Sequence, residues 1–157
     1  MISDQVPRTL ESDWGEDDCL RLTIVNHLES LAESLILFER FLKNAGASPK
    51  LTYMALLALE ELVSNTIKYG YDDHGQHPIC LVFTMGPPAV MTIQDHGHPF
   101  NPLVDAPLPE LDAGAEERAI GGLGLHMVRR LANSLSYRRV DGINRIDIVF
   151  SSDFPTE

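Results

Sequence analysis

Leu20, Leu22 and Ile24 alternate with Arg21 and Thr23, the period-two pattern of a strand with one buried face. The period then changes. From His27 to Asn44 the apolar residues Leu28, Leu31, Leu35, Phe38 and Leu42 recur at spacings of three and four, which predicts an amphipathic helix stopped by Gly46. Ser48-Pro49 opens a second helix, with proline in the first turn where its missing N–H costs nothing, and this helix runs to Tyr69 and stops at Gly70. Pro78 to Met85 and Val90 to Gln94 are short β-type runs joined through Gly86-Pro87-Pro88. Residues 96–120 are polar, hold four prolines and show no period, so they read as a long loop, a kind that in compact domains is functional or disordered. Helical spacing returns from Gly121 to Ser134 through Leu125, Val128, Leu131 and Leu135. Ser136 to Val140 and Ile143 to Phe150 follow as a hairpin turned by Asp141-Gly142.

The resulting order, β-α-α-β-β-α-β-β, predicts an α+β two-layer sandwich with helices on one face of a mixed, mostly antiparallel sheet. Residues 1–18 are acidic and aperiodic, so an N-terminal arm, flexible or loosely docked, is expected over 1–19, one folded domain over 20–152 and a tail over 153–157. The 157-residue length suits one domain, and 44% hydrophobic content is enough to bury a core without staples.

Charge narrows the partners. Twelve basic against twenty-three acidic residues give a formal net charge of -11, which disfavours nonspecific attraction to nucleic acid or to an anionic membrane and suits a basic protein partner. Cys19 and Cys80 stand far apart with no CxxC, so neither a zinc site nor a disulfide framework is suggested. No apolar run approaches a membrane span and the acidic N-terminus lacks a signal-peptide core, so a cytoplasmic protein is expected.

On a wheel of the second helix, Ala55, Leu56, Leu59, Leu62, Val63 and Ile67 gather on one arc, while Glu61, Asn65 and Lys68 gather on the opposite one. Asn65 is a mediocre helix former with no cap to make there, and its amide oxygen is a hard ligand of the kind Mg²⁺ accepts. Asp95 follows a strand, and an ionised carboxylate only accepts hydrogen bonds, which suits adenine's exocyclic amine and not guanine's carbonyl. Gly97 would let the backbone approach a purine ring, with Phe100 supporting the pocket wall. Gly121-Gly122-Leu123-Gly124 precedes an amphipathic helix, where free N–H groups and the helix dipole favour an anion. Upstream lies a long loop that could close as a lid over a triphosphate, and Arg118 is its one basic residue. Arg118 can either neutralise a γ-phosphate or pair locally with Glu116 and Glu117. His96-x-His98 and His74-x-x-His77 have metal-ligand spacings but no third ligand in the sequence.

Three patches then stand in order: Glu60-Glu61-Leu62-Val63-Ser64-Asn65, Asp95-His96-Gly97-His98-Pro99-Phe100 and Gly121-Gly122-Leu123-Gly124-Leu125. The set resembles the Bergerat-fold ATPases, which include the ATPase domains of gyrase, heat-shock chaperones, mismatch-repair proteins and histidine kinases. The small size, the Glu-Glu-x-x-x-Asn-x-x-x-Tyr-Gly-Tyr run and the Asp-x-Gly-x-Pro-Phe-Asn-Pro run look most like the anti-sigma-factor serine/threonine kinases, over residues 20–150. The resemblance implies ATP and Mg²⁺ as ligands, Asn65 as the metal ligand, Glu61 as the base and Asp95 as the adenine contact. Lys68, Gly97, Phe100, Gly121, Gly122, Leu123, Gly124 and Leu125 would complete the nucleotide site, with Arg118 assisting transfer. Two positions depart from the relatives. Tyr69 stands where many of the anti-sigma kinases have His, and Gly142-Ile143-Asn144 stands where many Bergerat proteins have Gly-Thr, so Asn144 would replace the usual water-bridged adenine contact. Such kinases phosphorylate a STAS-domain anti-anti-sigma protein and otherwise sequester a sigma factor, and a homodimer is compatible with this type. The alternative of a different class is a nucleotide-responsive binding module with little or no phosphotransfer.

Overall fold

The computed structural model describes residues 10–14, 18–105 and 123–151. Its elements in chain order are β1 (Leu10–Trp14), β2 (Cys19–Val25), α1 (Leu28–Asn44), α2 (Pro49–Tyr69), β3 (Pro78–Thr84), β4 (Val90–Asp95), α3 (Leu123–Leu131), β5 (Ala132–Val140) and β6 (Ile143–Phe150). The strands form a six-stranded sheet in the order β1-β2-β3-β4-β6-β5, with every neighbouring pair antiparallel.

Three expectations are corrected here. The sheet is antiparallel throughout its described pairings and not mixed. The crossover through α3 does bring β5 back in the direction of β4, but β6 returns between them and pairs with both. Part of the acidic arm is ordered as β1, because Leu10–Trp14 satisfies its backbone groups on the free edge of β2. The last helix is shorter than its apolar spacing, since Ser134 to Val140 pair with β6 and the ladder overrides local helical preference.

Alternation along the strands builds the core. Leu20, Leu22 and Ile24 of β2, Ile79, Leu81 and Phe83 of β3, Met91 and Ile93 of β4, and Ile146, Ile148 and Phe150 of β6 are all buried on the inner face. Against them lie Phe38, Phe41 and Leu42 of α1, Leu59, Leu62 and Val63 of α2, and Leu125 and Val128 of α3. Each fully buried side chain of this size contributes about 1.5–3 kcal/mol relative to exposure. Leu28 shares the helical spacing of α1 but is exposed, and Phe41 takes a buried place instead. Ser30 is buried on α1 without penalty, because its Oγ accepts a hydrogen bond from the Val25 N–H at 3.0 Å. Ser48 caps α2 by accepting from the Leu51 N–H at 3.1 Å, with Pro49 in the first turn. No helix among the described residues is long and apolar enough to cross a membrane.

Candidate functional site

The inward alternation of the central strands ends in polar residues. On β4 the buried series Met91, Ile93 is completed by Asp95, and on β6 the series Phe150, Ile148, Ile146 is completed by Asn144. Register sets Asp95 opposite Asn144, and Asn144 opposite Arg139 of β5, so one polar row crosses the end of an apolar face. Asp95 is 5% exposed and Asn144 is 4% exposed, so their polar atoms need partners. Asn144 Nδ2 donates to Asp95 Oδ1 at 2.9 Å and to the His98 carbonyl at 2.8 Å. Its Oδ1 accepts from the Tyr137 hydroxyl at 2.6 Å and from Arg139 Nη1 at 2.8 Å.

The turn after Asp95 is held from three sides. The Gly97 N–H donates to Asp95 Oδ1 at 2.9 Å, and the Gly97 carbonyl accepts from Arg139 Nη1 at 2.9 Å. The His98 N–H donates to the Gly70 carbonyl at the end of α2, at 2.7 Å, and the His96 N–H donates to the Tyr71 hydroxyl at 3.2 Å. A Cβ on Gly97 would stand 2.6 Å from the Gly70 carbonyl oxygen, so the close approach this glycine permits here is to α2. Burial, and then the nearby Asp95 charge, push the Tyr71 phenol above its usual value and keep it neutral. Tyr71 stacks on His77 at a ring separation of 4.1 Å; His77 pairs with Asp73, and His98 with Asp72 at 3.0 Å.

Helix α2 forms the opposite wall. A narrow cleft of about 10 Å³, opening to solvent, is lined by Asn65, Thr66, Asp95, His98, Phe100 and Asn144 among others. Asn65 and Asp95 thus face one space, as their sequence patterns imply. Asn65 is half-buried, and its amide has no partner among the described residues. Glu61, one turn earlier and also half-buried, likewise has a carboxylate without a described partner. Gly124 of α3 packs directly on it: a Cβ there would stand 2.6 Å from Glu61 Cγ and Oε1. Phe100 lines the cleft and contacts the Tyr69 ring at 5.8 Å between centroids. Lys68 is exposed and does not line the cleft. Leu125 is a core residue, so its backbone in the first turn of α3 is what remains to face a ligand. Arg118, Gly121 and Gly122 lie outside the described residues, and Leu123 begins α3.

Of the expected lid over 96–120, residues 106–120 lie outside the described residues. Residues 96–105 are held by several hydrogen bonds. Beyond the bonds above, the Leu103 N–H donates to Asn101 Oδ1 at 2.9 Å, the Asn101 N–H to Asp105 Oδ2 at 2.8 Å, and Arg129 Nη1 to the Leu103 carbonyl at 2.9 Å. The last bond ties the segment to α3.

The donor chemistry fits a metal-bound adenine nucleotide. With Asp95 Oδ1 occupied by two N–H groups, Oδ2 has no described donor, so the cleft-lining carboxylate keeps an acceptor for an amine. One unpartnered amide oxygen, at Asn65, is what Mg²⁺ takes from a protein when phosphates and waters supply the rest. Asn144, by contrast, has spent both N–H groups and both lone pairs of its amide on protein partners. It reaches the cleft through Asp95.

Tyr137, Arg139 and Arg129 are not among the residues the sequence singles out, and Tyr71 stands there only as the last residue of the Tyr-Gly-Tyr run. Arg139 had a signal: the two-residue turn at Asp141-Gly142 pairs Val140 with Ile143 and therefore Arg139 with Asn144. Tyr137 shares that hairpin, two residues before Arg139, whereas Tyr71 and Arg129 depend on approaches between distant segments.

Residues 24–150 match the histidine kinase-like ATPase domain family. No curated protein matches the chain. The match spans most of the sequence, and the layered antiparallel sheet under three helices is the architecture expected of the Bergerat fold, so the chain belongs to the histidine kinase-like ATPase family.

Proposed function

We propose that this member of the histidine kinase-like ATPase family binds MgATP in the cleft between α2 and the β4/β6 sheet end, and acts as a serine/threonine protein kinase on a STAS-domain anti-anti-sigma partner. The observation that carries the reading is the placement of Asp95 and Asn65 on one cleft, with side-chain oxygens that have no described protein partner, and of Glu61 one helical turn before Asn65 on α2. Among the described residues no buried side-chain polar atom lacks a partner, so these unpartnered oxygens reach solvent and are accessible to a ligand. Asp95 Oδ2 accepts from the adenine amine and would repel a guanine carbonyl. Asn65 Oδ1 would hold Mg²⁺, which would supply charge neutralisation to the triphosphate. Glu61 accepts the proton of the attacking serine or threonine hydroxyl as its oxygen bonds to the γ-phosphorus and the bond to the ADP oxygen breaks. The start of α3 and the glycines before it offer backbone N–H groups to the phosphates, and Arg118 offers a cation. Phe100 forms part of the wall, while Lys68 is exposed on α2 outside the cleft.

The same reading includes sequestration of a sigma factor when the STAS partner is phosphorylated. The net charge of -11 suits a basic face on such a partner, and a homodimer is compatible with it. The test is incubation with γ-labelled ATP, Mg²⁺ and candidate STAS proteins. Label on a serine or threonine of the partner, lost with Glu61→Gln, is the expected result. A stable nucleotide-dependent complex with an unlabelled partner, at confirmed nucleotide occupancy, overturns the kinase and leaves the binding module.

A further inference from the structure

We infer that Arg139 and Tyr137, acting through Asn144, are positioning residues that aim Asp95 and so set the chain's choice of purine base. The inference deepens the proposed function and rests on its assignment of Asp95 to the base.

The amide of Asn144 can be read in only one orientation. Arg139 Nη1 lies 2.8 Å from one amide atom, and a guanidinium has donors alone, so that atom is the oxygen. The nitrogen must then face Asp95 Oδ1 and the His98 carbonyl, at 2.9 Å and 2.8 Å. The Tyr137 hydroxyl at 2.6 Å fills the second lone pair of the oxygen, so the amide cannot rotate without losing four bonds. Arg139 Nη1 also reaches the Gly97 carbonyl at 2.9 Å, and the Gly97 N–H returns to Asp95 Oδ1 at 2.9 Å. One guanidinium nitrogen therefore braces both donors that occupy Oδ1. With Oδ1 held by the protein, the remaining oxygen of Asp95 is the one offered to the cleft.

The sheet accounts for why these residues can do this. Arg139 is the direct cross-strand neighbour of Asn144, which is the direct neighbour of Asp95, while Tyr137 stands opposite Ile146 on the same inner face. Arg139 lies on the edge strand with its body exposed, so only the tip of the side chain enters the network. Its loss removes two bonds from the turn and leaves the apolar core untouched.

The experiment compares MgADP with MgIDP, whose base has a carbonyl in place of the adenine amine, by calorimetry on wild type, Arg139→Met and Tyr137→Phe, with thermal unfolding in parallel. Wild type is expected to prefer ADP. Each variant is expected to lose roughly threefold to tenfold of the ratio Kd(IDP)/Kd(ADP), as a hydrogen bond of ordinary strength implies. A role confined to folding would lower the unfolding temperature and weaken both nucleotides together, leaving the ratio where it was. An unchanged ratio in both variants, with wild type still discriminating, overturns this inference alone. Equal affinity of wild type for ADP and IDP overturns the assignment of Asp95 and this inference with it.

Discussion

The two walls of the cleft handle polar groups in opposite ways. At the sheet end, Asn144 uses all of its hydrogen-bonding capacity on protein, and the Asp95–His98 turn is tied to α2, β5 and β6. On α2, Glu61 and Asn65 are half-buried and have no described partner for their side chains. A satisfied network in a low-dielectric site is rigid, which suits a wall that must tell one base edge from another. The side-chain oxygens on α2 reach solvent and can exchange water for a ligand, which suits the proposed contacts with metal, phosphate and a reacting hydroxyl. In the proposed function, base selection and phosphoryl chemistry are thus divided between a sheet end fixed by register and a helix face left open.

The sharpest way to break the comparison is at the reactive wall. Glu61→Gln keeps the shape of the helix and should lower phosphotransfer by about 10² to 10⁴, the usual contribution of a general base, with MgADP affinity within a factor of about two. Single-turnover transfer to a cognate partner measures it, and a wild-type rate would remove Glu61 from the chemistry. Asn65→Ala should instead abolish the Mg²⁺ dependence of nucleotide binding in a titration with and without EDTA.

At the rigid wall, Asp95→Asn should cost about 1.5 to 3 kcal/mol of ADP affinity, the range for a hydrogen bond to a charged group. Its remaining oxygen can still serve Gly97 and Asn144, so the new NH₂ would face the cleft and favour a carbonyl. The variant is therefore expected to turn toward MgIDP, and calorimetry with both nucleotides reads the change. A variant that loses both nucleotides equally would mean that Asp95 supports the turn without reading the base.

Between the walls lies the contact of α3 with α2. Gly124→Ala places a methyl where Glu61 Cγ and Oε1 now stand at 2.6 Å, so the carboxylate must move. Transfer should fall by roughly tenfold or more while the ADP/IDP preference stays, since misplacement of a reacting group by about 1 Å costs on the order of 10²-fold at most here. A change in base preference would show that the walls are coupled.

The smallest effect is expected on the outer face, away from both walls. Burial pushes the Asp147 carboxyl up, but hydrogen bonds from Arg145 at 2.9 Å and from Thr92 at 2.7 Å outweigh it and hold the group below its usual value of 3.8. A folded-state value below the unfolded one stabilises the fold above about pH 4, and that contribution is lost as pH falls through the folded value. Because the pair is partly exposed, Asp147→Asn should cost no more than about 1 kcal/mol at neutral pH and flatten the acid limb of the unfolding profile. Nucleotide binding should be unaffected.

Periodicity along the chain was enough for most elements. α1, α2, β2, β3, β4 and β6 fall within a residue or two of where apolar spacing, Ser48-Pro49 and Asp141-Gly142 put them, because those signals are local. Glu61, Asn65, Asp95 and Phe100 stand out as candidates for the same reason: an amide and carboxylate one turn apart, and an acid after a strand, are patterns a single segment carries. What local pattern could not decide was pairing. β1 exists because β2 offers an edge, β5 begins early because β6 offers a ladder, and the sheet is antiparallel because β6 lies between β4 and β5. The same holds at the site. Gly97 is required by a carbonyl of α2, Gly124 by a carboxylate of α2, and Asn144 is drawn into protein contacts by a tyrosine and an arginine on the edge strand. Close approach and cross-strand register are relations between distant residues, so only the folded chain determined which polar atoms were spent on the protein and which were left for a ligand.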